Sequence, residues 1–188
     1  MKNLICVSAP SGSGKTTLCK AIRKLRPDLV WSVSCTTRVP RNGEVDGEDY
    51  HFKTKEEFLL MIDKGEFAEW EKVHGNFYGT LKSKLTNSIK NEQTVLLELD
   101  VNGTTSIQKL YPNHSYSIFI IPPSINHLRE RLKSRGSETD VTIENRLKRF
   151  DKEMMCKDQF DTLLINDNIE VAIKDFITKV NHITKGVH

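Results

Sequence analysis

The glycine-rich segment near the N-terminus constrains the fold more than any other feature of this sequence. The segment reads APSGSGKTT over residues 9–17, and it directly follows the apolar run LICV at residues 4–7 and Ser8. A short buried strand, a glycine-rich loop and a helix that opens on Lys-Thr form the arrangement that holds the phosphates of a nucleotide. The glycines let the loop curl so that successive N–H groups face an anion, and the helix dipole adds to their effect. The sequence therefore predicts a phosphate-binding loop in front of a helix that begins near residue 15.

Two side chains at the end of this loop have expected roles of their own. Lys15 is placed to reach the β- and γ-phosphates, and the hydroxyl of Thr16 can ligate Mg²⁺. The loop departs from the usual pattern GxxxxGK[ST] at one position, because Ala9 stands where a glycine is usual. This change is tolerable if residue 9 does not need a positive φ. The alternative, a glycine- and serine-rich turn that happens to precede Lys-Thr, is disfavoured by the strand before it and the helical spacing of apolar residues after it.

Composition and charge exclude several classes of protein. Hydrophobic residues make up 37% of the 188 residues and charged residues 28%, which is typical of a globular chain and not of a disordered one. A formal net charge of +3, with the basic residues spread along the chain, gives no argument for a nucleic-acid partner. The apolar runs are too short for a signal peptide or a membrane span, and Cys6, Cys19, Cys35 and Cys156 show no CxxC or metal-ligand spacing. We therefore expect a cytoplasmic protein without nucleic-acid or membrane partners.

Segments of strand and helix character alternate after the loop. Nearly continuous apolar runs at residues 94–99, 116–121 and Thr162–Ile165 are typical of parallel strands that are covered on both faces. This alternation predicts the α/β class, with a doubly wound parallel sheet flanked by helices. The helical patterns lie at residues 103–110, 124–133 and 169–180.

The chain between the phosphate loop and the second apolar run has a different character. Residues 33–81 are polar and aromatic, with glycines at the expected turns, and they contain one predicted helix, Lys55–Asp63, with Thr54 and Glu57 spaced as a capping box. We expect a small inserted lobe of short antiparallel strands around this helix. An arginine-rich stretch later in the chain is expected to form a helical flap. The predicted division is a core of residues 1–32, 82–124 and 158–188, a lobe of residues 33–81 and a lid of residues 125–157.

The lobe contains side chains suited to an anionic nucleotide. Arg38 and Arg41, held apart by the rigid Pro40, can grip a phosphate with paired N–H donors, and Tyr50 can add a hydroxyl. Taken alone, two arginines in a loop are more often a solvated surface. They become informative because aromatic, acidic and glycine-rich motifs follow in the same lobe.

One acidic residue of the lobe is a candidate for recognising a base. Guanine presents its N1–H and N2–H₂ donors side by side, and one carboxylate can accept both, whereas adenine offers no such pair. Glu69 fits that role, with Ser34 and Thr80 supplying hydroxyls to the base edge or to a phosphate.

Two further carboxylates follow the second apolar run. Glu98 and Asp100 alternate, so we expect both to point to one face at the carboxyl end of a strand beside the phosphate loop. One could serve Mg²⁺ through water while the other reaches the acceptor; the alternative is ordinary turn chemistry at the end of a strand. The segment DVNG at residues 100–103 also resembles the DxxG of GTPases, but no Asn-Lys-x-Asp motif follows it.

Over nearly its whole length, the chain resembles the guanylate kinases of the P-loop nucleoside-monophosphate kinase family. The string TTRVPRNGEVDGEDYHF is far more specific than the phosphate loop alone. The resemblance implies a P-loop kinase core with a parallel sheet flanked by helices, an inserted GMP-binding lobe and a helical lid. It also implies Mg²⁺-dependent transfer of the γ-phosphoryl group of ATP to GMP, and to dGMP. The motifs that carry the resemblance lie at residues 8–17, 34–52, 67–70, 78–80, 98–103 and 165–167.

The resemblance implies a role for each matching residue. ATP and its phosphates are held by Ser11, Gly12, Ser13, Gly14, Lys15, Thr16, Thr17 and, near adenine, Asn166. GMP is bound by Ser34, Arg38, Arg41, Glu44, Tyr50, Glu69, Tyr78, Thr80, Glu98 and Asp100. Catalysis is assigned to Lys15, Arg38, Arg131, Arg135 and Arg146, with Mg²⁺ as the cofactor on Thr16. The chain departs from the family pattern at Ala9 and at Glu98, where Asp is frequent.

Two alternatives remain open at this point. A guanylate-kinase-like domain can serve as a peptide-binding scaffold without catalysis, although such domains typically lack the intact phosphate loop that this chain retains. A sister kinase acting on another monophosphate is the second alternative, and Glu69 with Asp100 argues against it.

Overall fold

The computed structural model describes residues 2–10, 12–73, 75–122, 124, 129, 147 and 150–185. Within these residues the core sheet has five parallel strands in the order β2-β7-β1-β8-β9. The predicted α/β class with a parallel sheet is thereby confirmed. The strands of this sheet are β1 (Leu4–Ser8), β2 (Val30–Trp31), β7 (Val95–Glu98), β8 (Ser115–Ile121) and β9 (Thr162–Ile165).

Helices cover both faces of the core sheet. Every residue of β1 is buried, and its side chains alternate between two apolar clusters. Ile5 and Val7 pack with helices α1 (Lys15–Leu25) and α5 (Ile169–Lys185) on one face. Leu4 packs on the other face with α3 (Lys82–Lys90) and α4 (Val101–Leu110). This double coverage explains why the core strands have nearly continuous apolar sequences.

A second sheet has the order β4-β3-β6-β5. Its helix α2 (Lys55–Asp63) has the predicted capping box, with the Glu57 N–H donating to Thr54 Oγ1 at 3.1 Å and the Thr54 N–H donating to Glu57 Oε2 at 2.8 Å. The strands are β3 (Cys35–Thr36), β4 (His51–Phe52), β5 (Phe67–Val73) and β6 (Asn76–Leu81).

The pairing within this sheet corrects one expectation. Strand β6 pairs antiparallel with β3 and β5, as predicted, but β3 and β4 pair in parallel. The reason is the long connection between β3 and β4, which carries the chain back to the end of the sheet where β3 begins, so that β4 runs in the same direction.

Two element boundaries also differ from the predictions, and two elements were not predicted. Strand β7 ends at Glu98 and α4 begins at Val101, because the side chain of Asp100 caps the helix by accepting from the Gly103 N–H at 2.8 Å. Glu98 and Asp100 therefore do not alternate on one strand. Helix α3 and the two-residue strand β2 were not predicted, since α3 has no side-chain cap and β2 is too short for a periodic pattern.

Most of the predicted lid lies outside the described residues, and the division into core, lobe and lid stays a prediction. None of the helices in the described ranges combines the length and apolar character that a membrane span requires.

Candidate active site

The phosphate loop connects β1 to α1 with the backbone conformation that its glycines permit. Gly12 has a φ of 88° and Gly14, the N-cap of α1, has a φ of 84°. Among the described residues other than glycine, positive φ occurs at Glu92, so Ala9 adopts ordinary backbone and its departure from the loop pattern carries no strain. Ser11 lies outside the described residues.

Two side chains tie the start of α1 to the end of β7. The Lys15 ammonium donates to the Leu99 carbonyl at 2.5 Å, and the Thr16 hydroxyl donates to Glu98 Oε1 at 2.6 Å. Because β1 and β7 are neighbours in a parallel sheet, their carboxyl ends meet at the edge where α/β proteins bind ligands. The Thr17 side chain is exposed on the first turn of α1.

Asn166 lies against the phosphate loop, directly after β9. Its side chain is 4% exposed, and Nδ2 donates to the Ser13 carbonyl at 2.7 Å. The backbone N–H of Asn166 donates to the Ile121 carbonyl at 2.8 Å, so the residue is anchored to β8 as well. Asn166 therefore supports the loop conformation from behind.

A cavity of about 180 Å³ lies between the phosphate loop and the second sheet. Its lining includes residues from the start of α1, from the end of β7 and from β5 and β6. The predicted residues that line it are Lys15, Ser34, Tyr50, Glu69, Tyr78, Glu98 and Asp100. The tertiary fold thus brings together residues that are up to 85 positions apart in the sequence.

The Glu69 carboxylate lies at the part of this cavity formed by β5, β6 and α4. Oε1 accepts a hydrogen bond from the buried Thr80 hydroxyl at 2.5 Å. Oε2 lies so close to α4 that a Cβ atom at Gly103 would be 2.8 Å away from it. Thr80 does not line the cavity, so in this structure its hydroxyl orients Glu69.

The environment of Glu69 changes its proton affinity. Burial raises the pKa of Glu69 to about 7, the nearby charges of Asp100 and Glu71 add to the increase, and the Thr80 hydrogen bond opposes it. A carboxylate that gives up its hydration in this way is poised to accept two adjacent N–H donors from a ligand.

A second cavity of about 240 Å³ adjoins the first and shares Tyr50, Tyr78 and Glu98 with it. Arg38 and Arg41 also line this second cavity. The two cavities together form one groove, and the guanidinium groups lie at the second cavity, where the carboxylates of Glu44, Glu48 and Asp49 accompany them.

Glu44 organises the arginine end of this groove. Its Oε1 accepts from Arg38 Nη2 at 2.8 Å and its Oε2 accepts from the Arg41 backbone N–H at 2.7 Å. The hydrogen bond from Arg38 holds the pKa of Glu44 below its usual range. The Arg38 guanidinium also lies over the Tyr50 ring, 5.3 Å from its centroid. Glu44 thus orients Arg38 while the guanidinium faces the groove.

Three predicted catalytic residues, Arg131, Arg135 and Arg146, lie outside the described residues.

Sequence reasoning missed several lining residues of the first cavity, and one signal could have found two of them. Glu71 and Val73 follow Glu69 at intervals of two along β5, so a strand pattern centred on Glu69 places all three on the same face. Gly79 and the Leu99 carbonyl have no such signal, because their roles depend on which strands meet.

The oxygen donors at Thr16 and Glu98 fit a magnesium ion. Mg²⁺ prefers hard oxygen ligands and is usually held by one or two protein groups together with substrate phosphates and water. The described part of the chain holds no cluster of three or more His, Cys, Asp or Glu side chains that could form a closed metal site.

Comparison with known proteins gives a uniform result. The family model described as guanylate kinase matches residues 1–182. A guanylate kinase of Thermotoga maritima is 42% identical over 177 residues, which cover 94% of this chain and 85% of that protein. A guanylate kinase of Pseudomonas fluorescens is 44% identical over 172 residues, covering 92% and 83%. The crystal structure of guanylate kinase from Anaplasma phagocytophilum superimposes with a TM-score of 0.79 at 30% identity, covering 97% of this chain and 86% of that one.

Proposed function

The chain belongs to the guanylate kinase family, and we propose that it transfers the γ-phosphoryl group of ATP to GMP, with ADP and GDP as products. The observation that carries the proposal is the Glu69 carboxylate beside a cavity that is continuous with the phosphate loop. The same chemistry extends to dGMP, because the contacts proposed below involve the base and the phosphate of the acceptor.

Guanine is read by the acidic end of the groove. Glu69 accepts N1–H and N2–H₂ of the base, while Thr80 keeps the carboxylate in position. Asp100 and Ser34 line the same cavity and contribute further polar contacts to the base. AMP lacks the pair of donors, so it would leave a desolvated carboxylate without partners, which is costly.

The phosphate of GMP is bound by the arginine end of the groove. Arg38 and Arg41 supply guanidinium donors, and the hydroxyls of Tyr50 and Tyr78 line the same wall. The contact of Arg38 with Glu44 fixes the direction of its donors before the substrate arrives, which lowers the entropic cost of binding.

ATP occupies the phosphate loop on the other side of the groove. Backbone N–H groups around Gly12 and Gly14 surround its phosphates, and Lys15 exchanges its carbonyl partner at Leu99 for phosphate oxygen. Asn166 keeps Ser13 in place beneath them. Thr16, with Glu98 beside it, holds Mg²⁺, which supplies charge neutralisation on the phosphate oxygens when bound.

The transfer itself requires positioning and charge neutralisation more than proton chemistry. A phosphate oxygen of GMP forms a bond to the γ-phosphorus of ATP as the bond to ADP breaks, and the acceptor is already an anion, so no general base is needed. Lys15 and Arg38 lie on the two sides of the reacting group and stabilise its charge. Arg131, Arg135 and Arg146 remain predicted catalytic residues.

The proposal is tested by measuring ADP release from ATP and Mg²⁺ with GMP, AMP, UMP or CMP as the acceptor. Turnover with GMP and background rates with the other three are expected. Lys15→Ala should abolish transfer while GMP still binds, because Lys15 acts on the ATP phosphates. A folded wild-type protein without turnover on any acceptor would contradict the proposal and favour the peptide-binding alternative.

We also propose a cytoplasmic location. The described cysteines are free thiols, and Cys6, Cys19 and Cys35 are buried, which suits a reducing compartment.

A further inference from the structure

The carboxylate of Glu71 lines the base-binding cavity, but the proposed reaction assigns no role to it. It lies two residues beyond Glu69 on β5, and both side chains line the same cavity. A third carboxylate, that of Asp100, lines it as well. Placing like charges together is unfavourable, so the presence of Glu71 calls for a compensating interaction.

The interaction that Glu71 makes joins the lobe strand to a core helix. Its Oε1 accepts a hydrogen bond from Asn102 Nδ2 at 2.7 Å. The next residue of α4, Gly103, lies beneath Glu69, where a Cβ atom would be 2.8 Å from Oε2. Strand β5 and the first turn of α4 therefore meet at two successive points, and the positive end of the helix dipole favours both carboxylates.

The two acidic guanine contacts lie on different elements. Glu69 is carried by β5, whereas Asp100 is the N-cap of α4. One base can meet both side chains only if β5 holds a fixed position on the first turn of α4. Since Gly103 presents no side chain to grip β5, the bond between Glu71 and Asn102 is the polar attachment at this point.

We propose that Glu71 is a positioning residue for guanine, which holds β5 against α4 through Asn102 so that Glu69 and Asp100 meet the same base. The inference rests on the proposed function, because it assumes that GMP occupies this cavity. Glu71 is assigned no catalytic role, because its hydrogen bond is to Asn102 on α4 and not to a residue that holds ATP.

Glu71 also has an electrostatic effect that must be separated from positioning. Its charge adds to that of Asp100 in raising the pKa of Glu69, and Lys15 and Glu98 are the other charged side chains that line the cavity. Removing the Glu71 charge therefore favours ionised Glu69 near neutral pH, which strengthens GMP binding and opposes the loss of positioning. At pH 8.5 Glu69 is ionised in every variant, so changes in its protonation no longer contribute to differences in GMP binding.

The experiment measures the Kd for GMP by calorimetry and the steady-state constants at pH 8.5. Glu71→Ala and Asn102→Ala should each raise the Kd and KM for GMP about three- to tenfold, as expected for the loss of one hydrogen bond to a carboxylate. The kcat at saturating GMP and the KM for ATP should not change. The Kd for GMP of the double variant should be no higher than that of either single variant, because both substitutions remove the same hydrogen bond.

Conservative substitution separates the bond from the charge. Glu71→Gln keeps an oxygen that accepts from Asn102, so its GMP Kd at pH 8.5 should stay within about twofold of wild type. In a pH series, Glu71→Gln should move the midpoint of GMP binding to lower pH, whereas Asn102→Ala should leave it in place. Glu56→Ala, which removes an exposed lobe carboxylate outside the groove, serves as the matched control.

The outcomes distinguish this inference from its premise. If wild-type protein phosphorylates GMP but Glu71→Ala and Asn102→Ala bind it normally, or their effects multiply, the positioning role is wrong and the proposed function stands. If wild-type protein neither binds nor phosphorylates GMP, both are overturned. Should Glu71→Ala fail to fold, Asn102→Ala together with Glu71→Gln still decides the question.

Discussion

Replacing Glu69 by glutamine should make the protein more stable and less able to bind GMP. The carboxylate is held in a desolvated position beside Asp100 and Glu71, which is unfavourable for the folded protein without its substrate. Glutamine has nearly the same shape and its carbonyl oxygen can still accept from Thr80. The substitution therefore removes the charge and leaves the packing in place.

The size of the stability effect follows from the proton affinity of Glu69. A carboxyl pKa raised from its usual 4.5 to about 7 costs the ionised native state roughly 3 kcal/mol relative to the unfolded chain. Between pH 4.5 and about pH 7, the native state holds the proton of Glu69 more tightly than the unfolded chain does. The stabilisation that protonated Glu69 gives the wild-type protein is therefore fully present below pH 4.5, and it is lost as the pH rises through about 7. Glu69→Gln has no carboxyl group and does not lose this stabilisation. Its free energy of unfolding should therefore exceed that of wild type by about 2–3 kcal/mol at pH 8.

The effect on GMP binding has the opposite sign. Glutamine presents one acceptor and an NH₂ group to the two donors of guanine, so one charge-assisted hydrogen bond is lost and one donor is left unpaired. This should cost about 3 kcal/mol, or roughly 100-fold in Kd at pH 8. The wild-type affinity should fall as the pH drops below about 7, since protonated Glu69 loses an acceptor, whereas the affinity of the variant should lack this step.

Urea unfolding and GMP calorimetry at pH 5 and pH 8 measure both effects. The phosphate of GMP itself takes up a proton near pH 6, so the pH step attributed to Glu69 is the difference between wild type and Glu69→Gln. Glu66→Gln, which neutralises an exposed lobe carboxylate outside both cavities and outside the first turn of α2, is the matched control and should change neither quantity. The reasoning is refuted if Glu69→Gln has wild-type stability at both pH values and binds GMP as tightly as wild type at pH 8.

Two further substitutions test contacts elsewhere in the site. Gly79→Ala should destabilise the protein by about 1–3 kcal/mol in urea unfolding, because the new Cβ would lie 2.9 Å from Phe67 Cδ1 and 3.0 Å from Phe58 Cζ; unchanged stability would mean that these stacked rings move aside freely. Asn166→Ala should raise the KM for ATP about tenfold while the Kd for GMP stays constant, because the Ser13 carbonyl loses its buried donor. Asn166→Asp should raise the KM for ATP more than Asn166→Ala does, because it places a buried carboxylate oxygen against the Ser13 carbonyl. An effect on GMP instead of ATP would contradict the assignment of Asn166 to the phosphate loop.

The elements that the sequence predicts correctly are those with a local cause. Strand β1, the phosphate loop and α1 follow from an apolar run, glycines at residues 12 and 14 and the helical spacing after them. Helix α2 is predicted to the residue because its capping box is a short-range interaction between Thr54 and Glu57. The helix α4 boundary was two residues wrong because Asp100 was interpreted as a strand residue, although an Asp before Gly103 is also an N-cap pattern.

Local sequence patterns predict only part of the candidate site. Arg38, Glu69 and Lys15 can be selected from the residue types that phosphate and guanine require, and motif resemblance strengthens the choice. Their meeting in one groove depends on strand order, which periodicity does not specify.

By itself, then, the sequence determined the α/β class, the phosphate loop and the chemical character of the ligands, because each depends on neighbours within a few residues. Three contacts could not be read from the sequence: Thr80 orients Glu69, Asn166 supports Ser13, and Glu71 bonds to Asn102. Each of the last two contacts joins residues more than 30 positions apart. The physical reason is that such contacts arise when separate elements pack, and their energies depend on burial and distance that no local pattern contains.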